Sequence, residues 1–166
     1  EENSSPLSEE FSAMIGLITK LLVVVFVFSA FLYVMVEQGI MTWLPTFNEK
    51  VLALSESNSI RMASILAITL GLGRILGGQL SERFHWTLVI SGAIIGAMLM
   101  VAFVLPQALD REVSEDAAMI FGLPVLAFIF PLVGLFIAPI YPLLNSVVLS
   151  ALPKKMHSPM TGLIVL

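Results

Sequence analysis

Four long apolar runs constrain this chain more than any other feature of its sequence. A helix that crosses about 30 Å of hydrocarbon needs about 20 mostly apolar residues. Each run reaches about that length or exceeds it, so each predicts a membrane-spanning helix. The runs cover residues 16–43, 60–80, 87–105 and 117–152, and a further span starts at residue 160. The sequence therefore predicts an all-α integral membrane protein built as a helical bundle.

The composition excludes several other classes of protein. Of the 166 residues, 58% are hydrophobic and 12% are charged, whereas an average soluble domain carries about 25% charged residues. The polar surface is too small to cover a soluble enzyme. A net charge of −4 argues against nucleic-acid binding, and the absence of cysteine excludes disulfides and thiolate zinc sites. We expect no enzymatic activity, no cofactor and no metal ion.

The two ends of the chain and its fourth run bear on its organisation. Residues 1–15 are predicted to be a cytoplasmic linker, and residues 16–166 part of a transmembrane domain. The chain opens on Glu1 and its last span is short, so we expect it to be a piece of a larger protein. The fourth run is too long for one span and too short for two. Its prolines at 124, 131, 139 and 142 favour a single kinked helix, bent near Pro139 and Pro142, over two half-helices.

Lysine and arginine positions predict the orientation in the membrane, because cytoplasmic loops are enriched in both. The side that holds the N-terminal segment carries five basic residues: Lys20, Arg74, Arg83, Lys154 and Lys155. The other side carries three, namely Lys50, Arg61 and Arg111. The first side is therefore predicted to be cytoplasmic, in a multi-pass protein of the plasma membrane, expected to be a bacterial inner membrane.

Glu37 is the acidic residue that lies well inside an apolar run. It precedes Trp43 by six residues, which places it about 9 Å deeper in the membrane. Tyr33 lies one turn away on the same face, and Gln38 lies about 100° around the helix. An intramembrane carboxylate is costly and typically marks proton or substrate handling. The alternative is a structural carboxylate that bonds a neighbouring helix.

Tyr141 and Asn145 form a second polar pair, one turn apart in the fourth run. A hydroxyl and an amide hydrogen-bond a neutral polyhydroxyl ligand without burying a charge. The same groups also serve as polar contacts between helices. Two Gly-x3-Gly patterns, Gly73 with Gly77 and Gly92 with Gly96, predict close helix packing.

The end of the second run carries a more specific motif. Gly78, Glu82 and Arg83 stand in the order G-x-x-x-[DE]-[RK]. This order resembles the loop signature between the eighth and ninth helices of major facilitator superfamily transporters, although Phe84 and His85 stand where the family has a further glycine. The resemblance implies that these residues, together with Arg74, form a cytoplasmic gate. The alternative is an ordinary exposed charge pair.

Two further stretches resemble one group within that superfamily, the fucose:proton symporters. Residues 31–45 include Leu32-Tyr33-Val34 and then Glu37, a pattern similar to the seventh helix of the group. Residues 134–142 contain Gly134-Leu135-Phe136 followed by proline, similar to its tenth helix. On this alignment the chain corresponds to helices 7–11, in the C-terminal half of a sugar permease.

The resemblance implies alternating access by two six-helix halves, so that the N-terminal half of the same protein, the bilayer, a small solute and protons are the expected partners. The expected function is proton symport of a small polar solute, above all a monosaccharide. The candidate residues for the solute and proton pathway are Tyr33, Glu37, Gln38, Tyr141 and Asn145. The alternatives are an exporter of drugs or other small molecules in the same fold, and a membrane scaffold that transports nothing.

The predicted topology is directly testable. The loop around Asp110 should face outward, so a Ser114→Cys variant of the full-length protein should react with an impermeant maleimide in intact cells. Because the sequence contains no native cysteine, the labelling reports this position alone once any cysteine elsewhere in the parent is replaced. Labelling that requires cell lysis would reverse the orientation.

Overall fold

The computed structural model describes residues 15–17, 20–109, 119–120 and 123–165 of the chain. Most of the predicted linker and the acidic stretch that surrounds Arg111 lie outside these residues. The three longest helices are α1 (Leu21–Lys50), α2 (Glu56–Arg83) and α3 (Trp86–Leu109). A two-residue antiparallel pairing of β1 (Met119–Ile120) with β2 (Leu123–Pro124) follows them.

Four helices are long and apolar enough to cross a membrane: α1, α2, α3 and the helical run Val125–Ala151. The prediction of an all-α membrane fold is thereby confirmed. The strands β1 and β2 are only two residues long each and form a single short antiparallel pair. The observed helices extend beyond the apolar runs. For example, α1 continues through Pro45 to Lys50, seven residues past Trp43, because polar residues at a helix end can lie outside the hydrocarbon.

Local polar contacts set the limits of α2 and α3. Ser55 precedes α2, and its hydroxyl oxygen accepts a hydrogen bond from the Asn58 backbone N–H at 3.4 Å. Such a cap satisfies one of the N–H groups that a helix start leaves unpaired. At the next corner, Nδ1 of His85 accepts a hydrogen bond from the Thr87 backbone N–H at 3.4 Å. The ring of His85 thus contributes a local polar contact at the start of α3.

The fourth run is a single interrupted helix. It comprises α4 (Val125–Ile129), a 3₁₀ turn (Phe130–Leu132), α5 (Val133–Ile137) and α6 (Ile140–Ala151). The linking residues Phe130 and Ala138 keep right-handed helical dihedral angles. Across the break, the Ala138 N–H donates to the Gly134 carbonyl at 3.1 Å, and the Leu143 N–H donates to the Pro139 carbonyl at 3.2 Å. The structure thus supports one kinked helix over two half-helices.

The last helix begins earlier than the sequence indicated. A 3₁₀ turn (Lys154–Met156) leads directly into α7 (His157–Val165), whereas the sequence predicted a loop through Pro159. Proline is tolerated in the first turn of a helix, where its missing N–H has no intrahelical partner to lose. The ring nitrogen Nε2 of His157 lies 3.0 Å from the Leu152 carbonyl oxygen.

The chain divides into two compact units, residues 34–143 and residues 1–33 with 144–166. Each unit has its own apolar cluster. In residues 34–143 the buried members are Leu52, Leu54, Met62, Val104, Ala108, Leu126 and Ala127. In the other unit they are Leu17, Val23, Phe26, Val148, Leu152 and Met160.

Glycines allow α2 and α3 to approach the interrupted helix closely. A Cβ atom built on Gly77 would overlap the ring of Pro139, and one built on Gly96 would overlap the ring of Phe136. A Cβ atom on Gly73 would lie 2.7 Å from the carbonyl oxygen of Leu135. Three of the four glycines in the two Gly-x3-Gly patterns therefore pack as predicted. The exception is Gly92, where an added Cβ meets nothing within 4 Å, so the prediction was wrong there.

The prolines of the fourth run explain where this close packing occurs. Pro139 has no N–H, so the Leu135 carbonyl four residues earlier has no helical donor, and this is the carbonyl that faces Gly73. At Pro131, the hydroxyl oxygen of Thr69 lies 2.7 Å from the proline carbonyl oxygen, and Gly134 leaves room for that threonine. The irregular backbone thus lies against protein atoms, as it must within a membrane.

Replacing Gly77 and Gly92 separately by alanine should change stability in opposite directions. Alanine stabilises a helix relative to glycine by up to about 1 kcal/mol, so Gly92→Ala should be neutral or stabilising. Gly77→Ala should destabilise by about 1–3 kcal/mol, because its methyl group collides with Pro139. Thermal unfolding of the full-length protein in detergent measures both. Equal effects of the two substitutions would contradict the assigned contact.

Candidate functional site

One stripe of α1 is buried, and it includes the polar residues Glu37 and Asn48. Tyr33, Glu37, Leu44 and Asn48 are all buried, at intervals of four, seven and four residues. These intervals place them on one face of an α-helix. Glu37 is 8% exposed, although a carboxylate is among the least frequently buried groups unless it has a partner.

The partner of Glu37 is Arg74 on α2. The Nη2 atom of Arg74 donates a hydrogen bond to Oε1 of Glu37 at 2.8 Å, which is an ion pair. The pair is asymmetric, since the glutamate side chain is 10% exposed and the arginine side chain 51% exposed. Among the described residues, no other side-chain hydrogen bond of Arg74 occurs. The carboxylate therefore lies inside the bundle, and the arginine side chain reaches it from a half-exposed position.

The pair lies away from the ends of both helices. Glu37 precedes the end of α1 at Lys50 by 13 residues, a distance of about 20 Å along the helix axis. Arg74 precedes the end of α2 at Arg83 by nine residues, or about 14 Å. Arg74 is thus nearer the Arg83 end of α2 than the Glu56 end. The predicted orientation, with five basic residues against three, stays a prediction.

The remaining gate candidates lie at the end of α2. An added Cβ at Gly78 meets nothing within 4 Å, and Glu82 and Arg83 are exposed. Together with Gln79 and Phe84 they surround a small surface hollow. Within the part of the chain that the structure describes, neither Glu82 nor Arg83 forms an ion pair. A gating role for these residues remains a prediction.

The other candidate residues for the solute and proton pathway differ in their burial. Gln38 is exposed, on a different side of α1 from Glu37. Tyr141 and Asn145 are both half-buried and lie one turn apart on α6. The Oδ1 atom of Asn145 is buried and has no hydrogen-bond partner among the described residues. It is therefore available to accept a hydrogen bond.

Sequence analysis missed a polar contact between α1 and α2. Asn48 is fully buried, and its Nδ2 atom donates to the Ser59 carbonyl oxygen at 3.4 Å. The Oδ1 atom of Asn48 and the hydroxyl of Ser59 have no partner within the described residues. The spacing could have indicated this contact, because Asn48 follows Glu37 by 11 residues, about three helical turns, and so lies on the same face of α1. With Glu37 and Arg74, this contact shows that α1 and α2 run antiparallel.

An open apolar cleft lies between α1, α3 and α5. Its volume is about 620 Å³, within the range of about 300–1,000 Å³ usual for small-molecule sites. Val36 and Ile40 of α1 line it, with Met98 of α3 and Val133 of α5 opposite. The lining offers almost no hydrogen-bonding group. Among the described residues, no cluster of three or more His, Cys, Asp or Glu side chains is placed to hold a metal ion.

Membrane-spanning helices, glycine-dependent packing and an ion pair between two spans define a polytopic membrane protein with a polar site inside its bundle. The family model of the Major Facilitator Superfamily matches residues 1–166, so the chain belongs to this superfamily of membrane transporters. Transporters of this superfamily act on small-molecule substrates within a membrane and are generally not enzymes. No curated protein and no solved structure matches the chain.

A double-mutant cycle tests the strength of the ion pair. For Glu37→Gln and Arg74→Gln, we expect a coupling free energy of about 1–2 kcal/mol, because one partner is buried and the other is half exposed. The exposed pair of Glu49 with Lys50, 3.0 Å apart, is the matched control and should couple by less than about 1 kcal/mol. Unfolding in detergent measures both cycles. A coupling at Glu37 no larger than that of the control would contradict the structural assignment.

Proposed function

We propose that the full-length protein is a proton symporter of a small polar solute, with a monosaccharide as the expected substrate. The observation that carries this proposal is the ion pair between Glu37 and Arg74, which joins two spanning helices. Membership of the superfamily indicates that the protein is a transporter. The ion pair is the basis for the proposed proton coupling and for the proposed class of solute.

The charge balance of the pair favours a neutral solute. An isolated arginine inside a membrane would attract an anion, and its own insertion costs about 2.5–3.5 kcal/mol at the centre of a helix. Here the carboxylate of Glu37 already balances that charge at 2.8 Å. The remaining guanidinium donors can bind hydroxyl oxygens, and carboxylate oxygens can accept from hydroxyl groups. A polyhydroxyl compound matches this mixture of donors and acceptors.

The same pair provides a means of coupling to protons. A proton that binds Glu37 removes the negative charge and leaves Arg74 without its counter-charge. The Coulomb attraction between two opposite charges is then lost, and a hydrogen bond from the guanidinium to a neutral acid takes its place. The occupancy of the proton site thus changes the attachment of α1 to α2. In this proposal Glu37 binds the proton, and the resulting change in its contact with Arg74 alters the site that binds the solute.

Tyr33, Tyr141 and Asn145 remain candidates for the solute pathway, since each offers a neutral hydrogen-bonding group on a spanning helix. Gln38 remains a weaker candidate, because it lies away from the face of Glu37. The sugar-permease resemblance of residues 31–45 and 134–142 supports the same assignment. We also propose that the chain forms part of the C-terminal half of the transporter, with residues 1–15 as a cytoplasmic linker, and that the transporter lies in a bacterial inner membrane.

The apolar cleft between α1 and α3 supports a second candidate function. A cleft of about 620 Å³ lined by residues such as Ile40 and Met98 suits a hydrophobic compound better than a sugar. It therefore favours the alternative of a drug exporter. Export of dyes such as ethidium from cells, with no response to any sugar, would select this alternative.

Uptake of labelled monosaccharides into proteoliposomes tests the main proposal. With the full-length protein, an imposed inward proton gradient should increase accumulation of the transported sugar. Glu37→Gln should reduce gradient-driven accumulation at least about 10-fold, which corresponds to about 1.4 kcal/mol, while exchange of sugar across the membrane persists. Glu49→Gln, at an exposed position on the same helix, is the control and should behave as the wild type. Full proton-driven uptake by Glu37→Gln would remove Glu37 from the coupling mechanism.

A further inference from the structure

Two buried polar residues lie next to each other near the connection between α1 and α2. Asn48 lies two residues before the end of α1, and Ser59 is the fourth residue of α2. Asn48 is 0% exposed and Ser59 is 2% exposed. The Oδ1 atom of Asn48 and the Oγ atom of Ser59 are buried and have no hydrogen-bond partner among the described residues. We call these two atoms the unpaired oxygens.

The one side-chain contact of Asn48 fixes the orientation of its amide. The Nδ2 atom lies 3.4 Å from the Ser59 carbonyl oxygen, to which it donates. A flipped amide would instead place two acceptor oxygens opposite each other, and no hydrogen bond would form between them. Because an amide oxygen accepts hydrogen bonds and never donates them, the Oδ1 atom requires a donor from another group.

The hydroxyl of Ser59 differs from those of two exposed serines on the same two helices. Ser29 donates to the Val25 carbonyl at 2.8 Å, and Ser64 donates to the Ile60 carbonyl at 3.2 Å, in each case four residues earlier. Ser59 forms no such bond within the described residues, although it is the buried one of the three. A buried hydroxyl without a partner is destabilising, so the site requires a group that satisfies it.

The chemistry around the unpaired oxygens fits a water molecule and not an ion. Buried waters typically bond polar groups that a protein leaves unpaired. A water can donate to the amide oxygen of Asn48 and accept from the hydroxyl of Ser59, and the Ser59 carbonyl offers a third polar partner. A cation would be buried among neutral ligands, since Glu49 and Glu56 are both exposed. An uncompensated buried charge is far more costly than a neutral water.

We propose that Asn48 and Ser59 bind one internal water molecule, which bridges α1 and α2 next to their connection. The water donates to Oδ1 of Asn48 and accepts from the hydroxyl of Ser59. This bridge joins the two helices 11 residues further along α1 than Glu37, and it does not depend on the charge of that residue. The inference goes beyond the proposed function, since it requires neither a sugar nor a proton.

A crystal structure of the full-length protein at a resolution that shows ordered water tests the proposal directly. We expect one density peak within about 2.5–3.0 Å of both Oδ1 of Asn48 and Oγ of Ser59. A direct hydrogen bond between these two atoms, or the lack of a peak beside them, would overturn the proposal. Crystals grown with Rb⁺ in place of Na⁺ distinguish water from a cation, because rubidium scatters anomalously. An anomalous peak at this position would overturn the proposal as well.

Thermal unfolding of the full-length protein in detergent provides a second measurement. Removal of either partner breaks the bridge, so Asn48→Ala combined with Ser59→Ala should lower Tm by less than the sum of the two single decreases. Ser64→Ala is the matched control, because the exposed Ser64 hydroxyl bonds a carbonyl of its own helix. Its decrease should add to that of Asn48→Ala. Additive decreases for Asn48 and Ser59 would contradict the bridge. Neither measurement involves transport, so a failure here is distinct from a failure of the proposed symport.

Discussion

The close approach of α2 to the interrupted helix at residues 125–151 sets the geometry on which the polar site depends. Gly73 lies against the Leu135 carbonyl and Gly77 against the ring of Pro139. A rotation of α2 that brought a larger side chain to either contact would cause a steric clash. Arg74 directly follows Gly73 and is therefore held about 100° away from that contact. From there its guanidinium reaches Glu37. The glycines thus determine the position of the Arg74 charge as well as the close contact between the two helices.

Two different polar problems meet in these helices, and the structure answers them differently. Pro139 removes the helical donor of the Leu135 carbonyl, which packs closely against Gly73, and the Pro131 carbonyl accepts a hydrogen bond from the hydroxyl of Thr69. The charges of Glu37 and Arg74 are balanced by each other at 2.8 Å. The contacts that cover these backbone carbonyls do not depend on protonation, whereas a proton that binds Glu37 breaks the ion pair. Of the two arrangements, the ion pair is therefore the one that a proton can switch reversibly.

The sequence predicts the membrane spans well, because hydropathy depends on single residues and not on their neighbours in space. It also identifies Glu37, since a carboxylate in an apolar run is conspicuous. It overlooks Asn48, since the first run was taken to end at residue 43, whereas α1 continues to Lys50.

The pairing of Glu37 with Arg74 lies beyond a reading of the sequence, because it depends on the register between α1 and α2. That register is set in the short connection between the two helices. There Ala53 adopts a left-handed backbone conformation with φ of 54°, uncommon for a residue other than glycine. The Leu54 N–H then donates to the Asn48 carbonyl at 3.1 Å. No propensity rule indicates such a turn at alanine.

The unequal anchoring of the two helices determines what an opened ion pair would do. α2 is fixed to the interrupted helix by Gly73, Gly77 and Thr69, whereas α1 presents exposed aliphatic residues along much of its length. Of the most apolar segment, 22% is buried in α1 and 33% in α2. In the proposed mechanism, protonation of Glu37 removes one polar contact between α1 and α2, while the hydrogen bond of Asn48 to the Ser59 carbonyl remains. We therefore propose that any movement on protonation occurs in α1, which has the smaller buried share in its most apolar segment.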